Sequence, residues 1–546
     1  MTLPSSRRTI RHYTRERKET HTVSQLAHSP KQSSGTQVVV IGAGFGGISA
    51  AAYLAQAGYA VTVYEKNGWV GGRARVLDRD GFRFDMGPSW YWMPAEHDRW
   101  FTDMGAKRED YYEIHRVDPS YKVYFGDSLP QEQRNEVTVP ADFEGAKALF
   151  ESYEKGAGKK LEAFIDQAKR KYDFAMSGFI YRNFNSLLNM LNRSVLKNMR
   201  QLNLFTTYRG LIERYFTHPY LKKILEFPVV FLGSFAGKTP AVYTLMNYID
   251  FGLGTWYPEG GFGKVVKSMQ KVAESHGAKF VFNAEVTGIR SSAGRAVGIT
   301  VRLDGEETDI PVDALVANAD YPYVEDQLLD AGSRSLPLEK WDNKTFAPAV
   351  LNYYVGFNRK LPSLAHHTFF FDTDWNDHFD AVYGNRRWPA DPLFYIHIPS
   401  ITDPGCAPEG HEAMFILIPC ALGLDDADEL REHYFNIVLD RMEKLTGENL
   451  RDAIVFRETM SIREFKADYN AYEGTAFGLG QTLFQTAWFR PMNRSKKLAN
   501  LYYAGHYTVP GTGTTMSMIS GKLAAMRIGN EHPHGGPGTG VSPGWG

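Results

Sequence analysis

The stretch Gln37–Lys66, "QVVVIGAGFGGISAAAYLAQAGYAVTVYEK", decides the fold. Val38–Ile41 is apolar, β-branched and too short for a helix, so it reads as a buried strand. Gly42, Gly44 and Gly47 follow in G-x-G-x-x-G spacing. The first glycine permits a tight turn, the second lets backbone approach a pyrophosphate, and the third lets helix and strand pack closely. The alanine-rich run Ile48–Ala57 predicts a helix whose amino terminus faces the phosphates. Gly58 stops it. Tyr59–Tyr64 predicts a second strand, and Glu65 at its end stands where a carboxylate accepts ribose hydroxyls, with Lys66 beside it. The unit predicts a Rossmann-like dinucleotide site.

A second glycine turn follows in "GGRARVLDRDGFRFDMGPSW" (71–90). Gly71 and Gly72 precede Arg73, whose fork of donors suits an anion. Gly87, Pro88 and Ser89 close the segment. The pairing of both motifs resembles the flavin amine oxidase/phytoene desaturase superfamily, which implies FAD as cofactor. Near the other chain end, "NLYYAGHYTVPGTGTTMSMISGKLAAMRI" (500–528) reads strand, Gly505 turn, glycine-rich loop, helix. The resemblance implies that this segment lies along the flavin and assigns Val286, Gly505, Gly511, Thr512 and Met518 to the cofactor site. A helix dipole there would stabilise negative charge on reduced flavin.

The resemblance extends from Gln37 to Ile528 and narrows to bacterial-type phytoene desaturases. "YPEGGFGKVVKSM", "ALVANADYPYVEDQLL", "HHTFFFDTDW" and "IHIPSITDPGCAPEGHEAMFILIP" carry it. It implies FAD-dependent desaturation of phytoene towards lycopene or partly desaturated carotenoids, by hydride transfer from an allylic C–H to flavin N5 with proton loss. Oxygen or a quinone would reoxidise the flavin. Rival readings are a desaturase, isomerase or ketolase for a related C30 or C40 polyene. A non-catalytic isoprenoid-binding protein of the GDP-dissociation-inhibitor type is the alternative of a different class.

A polyene offers no acidic proton, so chemistry needs a dry site and a base. His506, after the Gly505 turn, is the candidate catalytic residue, expected to line the flavin face. Asp85, Glu259 and Asp320 are the other candidate bases. Each has a structural alternative: Asp85 bonded within its own turn, Glu259 and Asp320 capping helices. A long substrate implies an apolar tunnel, with Trp90–Pro94, Phe227–Phe235 and Phe369–Phe371 as candidate walls.

The expected architecture is α/β. A FAD-binding domain is assembled from segments 37–130, 241–330 and 471–528. A helical subdomain (131–240) and a mixed-sheet substrate domain (331–470) are inserted. A disordered basic arm (1–36) and a flexible Gly/Pro-rich tail (529–546) flank it. The run 191–232 interleaves Leu, Phe and Tyr with Arg193, Lys197, Arg200, Arg209, Arg214, Lys222 and Lys223, which predicts contact with an anionic membrane surface.

Composition bounds the rest. The chain has 546 residues, a formal net charge of -1 and 2 cysteines. No overall field invites nucleic acid, and neither a disulfide scaffold nor a Cys-rich metal site can be built. With no signal peptide and no apolar span, the expected location is cytoplasmic and peripherally membrane-associated.

Overall fold

Gln37–Ile41 and Ala60–Tyr64 pair in parallel, with Val39 opposite Thr62. The computed structural model describes residues 35–126, 136–183, 202–203, 205–486 and 489–532. The arm before residue 35, the tail after 532, and Arg193, Lys197 and Arg200 lie outside the described residues.

The first strand also pairs in parallel with Ala314–Ala317, which pairs with Leu501–Tyr503. Lys279–Val281 completes the other edge beside Ala60–Tyr64. One five-stranded parallel sheet therefore joins three distant parts of the chain. Both faces are covered. Val38 and Val40 pack against the helix Phe45–Gln56, while Val39 and Ile41 pack towards Val286, Ile299 and Tyr503. This two-sided burial is why the strand reads as a continuous apolar run. Each such side chain contributes about 1.5–3 kcal/mol.

Glycine sets the closest approach. A Cβ on Gly47 would lie 2.0 Å from the Gly42 carbonyl oxygen, so helix and strand meet there backbone to backbone. The helix ends at Gln56 with Ala57 as its C-cap, and Gly58 follows with φ +90° as its left-handed stop. The helix Thr514–Glu531 packs across Phe45–Gln56, and Ser49 Oγ donates to the Met518 carbonyl at 2.8 Å.

The second layer is a seven-stranded mixed sheet. Its order is Ile454–Met460, Ala349–Phe357, Glu412–Cys420, Phe394–His397, His367–Phe371, Tyr121–Phe125, Glu136–Val139. Sequence reading closed the first flavin segment at residue 130 and opened a helical unit at 131. The structure differs: Tyr121–Phe125 pairs in parallel with His367–Phe371, and Glu136–Val139 adds the sheet edge. The first of these pairings joins residues more than two hundred positions apart, which local pattern does not reveal. Side chains alternate across the sheet. Phe369, Phe371 and Tyr395 face the core shared with Phe227. Phe370, Phe394 and Ile396 face the other way, onto Val438 and Met442 of the helix Asp428–Thr446.

Helices Phe143–Tyr153 and Ala157–Phe174 lie beyond this sheet. Gly156, at φ +82°, breaks them. Asp142 caps the first by accepting the Gly145 N–H at 2.7 Å. Among the described residues, no helix is long and apolar enough to cross a membrane.

Candidate active site

A cavity of about 690 Å³ runs between the two sheets. One end is lined by Gly42, Gly44, Glu65, Lys66, Gly71, Gly72 and Arg73, together with Gly87, Pro88, Ser89, Val286, Gly505, His506 and Thr512. The other is walled by Trp90, Trp92, Met93, Phe227, Phe231, Phe369, Phe371 and Tyr395. Segments from near both chain ends and the seven-stranded sheet thus contribute to one continuous space. Gly47 and Met518 lie off the wall, in the helix–helix and helix–strand contacts described above, and Gly511 lies behind it, with Gln481 beside it. Tyr91 and Phe370, inside two of the predicted wall segments, turn away from the cavity, because neighbouring residues of an extended chain point to opposite sides.

The polar end is built from backbone. The helices Phe45–Gln56 and Thr514–Glu531 start at Gly44 and Gly513, and neither N-cap carries a side-chain cap bond. Their first N–H groups are therefore open to an anion. A Cβ on Gly46 would meet Asn318 Oδ1 at 2.5 Å and the Gly505 nitrogen at 2.9 Å, so the three segments meet there through glycine backbone and the Asn318 amide. The Arg73 guanidinium stacks over Tyr469 at 5.2 Å, and its Nε has no hydrogen-bond partner. Glu65 is buried. Its Oε2 accepts the Ala43 N–H at 2.8 Å and its Oε1 the Asn67 N–H at 2.9 Å. Open helix termini, a glycine-lined cradle and an unpartnered guanidinium nitrogen fit a dinucleotide.

The four candidate acid–base groups separate clearly. Asp85 is off the cavity. It does not bond its own turn: Oδ2 accepts the Phe262 N–H at 2.8 Å and Oδ1 the Gly263 N–H at 3.0 Å. It thereby caps the helix Gly261–Ser275, the role that sequence reading offered to Glu259. Burial nevertheless raises the Asp85 carboxyl to about 7. Glu259 is exposed and faces His115 at 3.2 Å. Asp320 lines the cavity at the N-cap of Tyr321–Tyr323 but closes no side-chain cap bond. Arg73 approaches it to 3.9 Å, and burial raises it to about 7 against that guanidinium. His506 lines the cavity, half-buried, and its Nε2 has no hydrogen-bond partner. Burial, with Arg73 and Arg490 nearby, holds its imidazole neutral.

Two residues missed in the sequence organise this end. Asn318, in "VANAD", donates from Nδ2 to the Gly42 carbonyl at 3.1 Å and lines the cavity. Arg490 is buried, and its guanidinium donates to the carbonyls of Leu479, Gln485, His506 and Thr508. It fixes the loop that carries His506.

The flavin containing amine oxidoreductase model matches residues 45–529. The chain belongs to this family. Family membership makes its cofactor FAD and its class oxidoreductase. A carotenoid 3,4-desaturase of Haloarcula japonica is 41% identical, covering 91% of this chain and 98% of the relative. A zeta-carotene-forming phytoene desaturase of Myxococcus xanthus is 32% identical, covering 91% and 94%. A 4,4'-diapolycopene oxygenase of Methylomonas is 31% identical, covering 90% and 98%. Among solved structures, putrescine oxidase bound to putrescine aligns with a TM-score of 0.58 at 14% identity, covering 90% of this chain and 99% of that one. At that identity the likeness shows the shared fold. Within the family the chain therefore stands in the carotenoid desaturase branch.

Proposed function

We propose that the chain is an FAD-dependent desaturase of a long carotenoid, phytoene or a more desaturated relative of it. The observation that carries this reading is the single cavity joining the dinucleotide cradle to an aromatic-walled space. The relatives, which act on polyenes by name, support it. FAD, when bound, supplies a hydride acceptor for an allylic C–H.

The chain's own groups do the rest. With FAD bound, the open N-terminus of Phe45–Gln56 and Arg73 would hold its pyrophosphate and Glu65 a ribose, with Val286 lining the same end of the cavity. Gly505, Thr512 and the start of Thr514–Glu531 line the flavin end. Trp90, Phe227, Phe231, Phe369 and Tyr395 exclude water and hold the polyene by its faces. Aromatic faces also stabilise the delocalised cation that forms as the C–H bond breaks. His506, neutral and with a free ring nitrogen, lines the flavin face and takes the adjacent proton at Nε2.

Substrate enters from a membrane surface. Phe484 and Phe489 are exposed, pack edge to face at 5.8 Å, and Phe489 lines the cavity. Exposed aromatics at a cavity rim suit insertion among lipid chains. The cations predicted to meet head groups contribute less than their count suggests. Arg209 pairs with Glu226 at 2.8 Å, and Lys223 sits over Trp375 at 4.8 Å, while Arg214 is exposed. Oxygen or a quinone reoxidises the flavin.

The test is reconstitution with FAD on phytoene-bearing liposomes. Conversion should require FAD and fall when the cavity is blocked by Phe369→Trp. A flavin-loaded protein that converts no acyclic carotene would refute the reading.

A further inference from the structure

The seven-stranded sheet carries a second cluster of chemistry-bearing groups that the flavin reaction does not use. His367 and His397 stand directly opposite each other on adjacent antiparallel strands, and His366 precedes the first. All three are buried. Each offers a ring nitrogen, and these lie within 4.8 Å of one another. His366 Nε2 and His397 Nε2 are 3.1 Å apart.

The outer partners are as informative as the nitrogens. His366 uses its Nδ1 on the Thr402 hydroxyl at 2.7 Å, and His367 uses its Nδ1 on the Tyr395 hydroxyl at 2.6 Å. In metal sites an imidazole is oriented in this way through the nitrogen that does not bind the ion. His367 Nε2 is left with no hydrogen-bond partner. A buried, unpartnered polar atom is costly and calls for an occupant.

We propose that His366, His367 and His397 hold a divalent transition-metal ion, zinc first, as a structural clamp behind the cavity wall. Three imidazoles suit zinc, nickel or copper rather than magnesium or calcium. The ion takes no electrons in the desaturation. Its effect passes through the wall: the His367 ring stacks on Trp90 at 4.0 Å, and its Nδ1 fixes the Tyr395 hydroxyl, which Ser89 also meets at 2.9 Å. With three protein ligands, a solvent molecule completes a tetrahedral shell.

The test uses untagged, FAD-loaded protein prepared without chelator. The expected result is one zinc per chain by elemental analysis. Exchange with cobalt should give the ligand-field bands of a tetrahedral site at wavelengths beyond the flavin absorption. His397→Leu should lose the metal while retaining FAD. In case that variant does not fold, zinc added to chelator-stripped wild-type protein should raise its Tm by about 2 °C or more. Substoichiometric metal after dialysis against zinc, with no cobalt bands and no Tm change, would overturn the proposal. So would a His397→Leu variant that keeps its zinc.

Discussion

Asp85 reaches across 177 positions of sequence to accept the Phe262 backbone N–H at 2.8 Å. One carboxylate thereby ties the second flavin motif to the helix Gly261–Ser275. Asp85→Ala leaves two buried N–H groups without an acceptor, and the expected cost is about 2–3 kcal/mol. Asp85→Asn keeps one acceptor and should cost less than half of that. Denaturant midpoints of the three proteins check the order.

Gly47→Ala should abolish flavin binding. The added Cβ would lie 2.0 Å from the Gly42 carbonyl oxygen, and backbone has no room to yield there. The purified variant should be colourless or unfolded. A yellow Gly47→Ala protein would show that helix and strand can part without loss of the cradle.

Glu65→Ala should weaken FAD binding at least tenfold, since a charge-assisted hydrogen bond contributes about 1.5–3 kcal/mol. Glu65→Gln should fall between it and wild type. Flavin released against dialysis time measures this directly. Because Glu65 also accepts the Ala43 N–H, the melting temperature of the flavin-free protein must be compared alongside.

Buried carboxyls give a pH signature. Asp250 is buried with Tyr121 donating to it at 3.1 Å, and burial raises its carboxyl to about 7. In the unfolded chain it ionises near the ordinary aspartate value, about 4. Between these values the folded state holds the proton and the unfolded state does not. Its contribution is therefore complete below about pH 4 and is lost as pH rises to about 7. Asp250→Asn removes the ionisation. Relative to wild type it should gain more than about 1 kcal/mol between pH 5 and pH 8, a unit of pKa being about 1.4 kcal/mol. Urea titrations at both pH values test the sign.

His506→Ala should shift the flavin absorption and lower turnover about a hundredfold, the typical value of a positioned proton acceptor. Because burial keeps His506 neutral, activity should not fall with protonation of an imidazole near its ordinary pKa. Full activity with an unaltered flavin spectrum would remove it from the mechanism.

The nucleotide end of this site is legible in sequence because its determinants are local. Gly42, Gly44, Gly47 and Glu65 fall within one strand–helix–strand unit, and their spacing is the geometry. What the sequence concealed lies in pairings between distant segments. Asp85 reads as a turn residue because its partners stand on another helix. Tyr121–Phe125 reads as the end of the flavin segment because its neighbour strand begins at His367. Each aromatic run lines the cavity with only some of its residues, a matter of which side the backbone presents. Asn318 was in view in "VANAD" but carried no signal until its amide met the Gly42 carbonyl. The three histidines resemble ordinary strand residues until the register sets His367 against His397.

The most direct test is the polyene spectrum. Purified protein loaded with FAD, on liposomes containing phytoene or a partly desaturated carotene, is extracted and its absorption recorded. The account predicts a band displaced to longer wavelength with each added conjugated double bond, dependent on FAD and absent in Gly47→Ala. Intact bound FAD with an unchanged polyene spectrum for every acyclic carotene offered would contradict it.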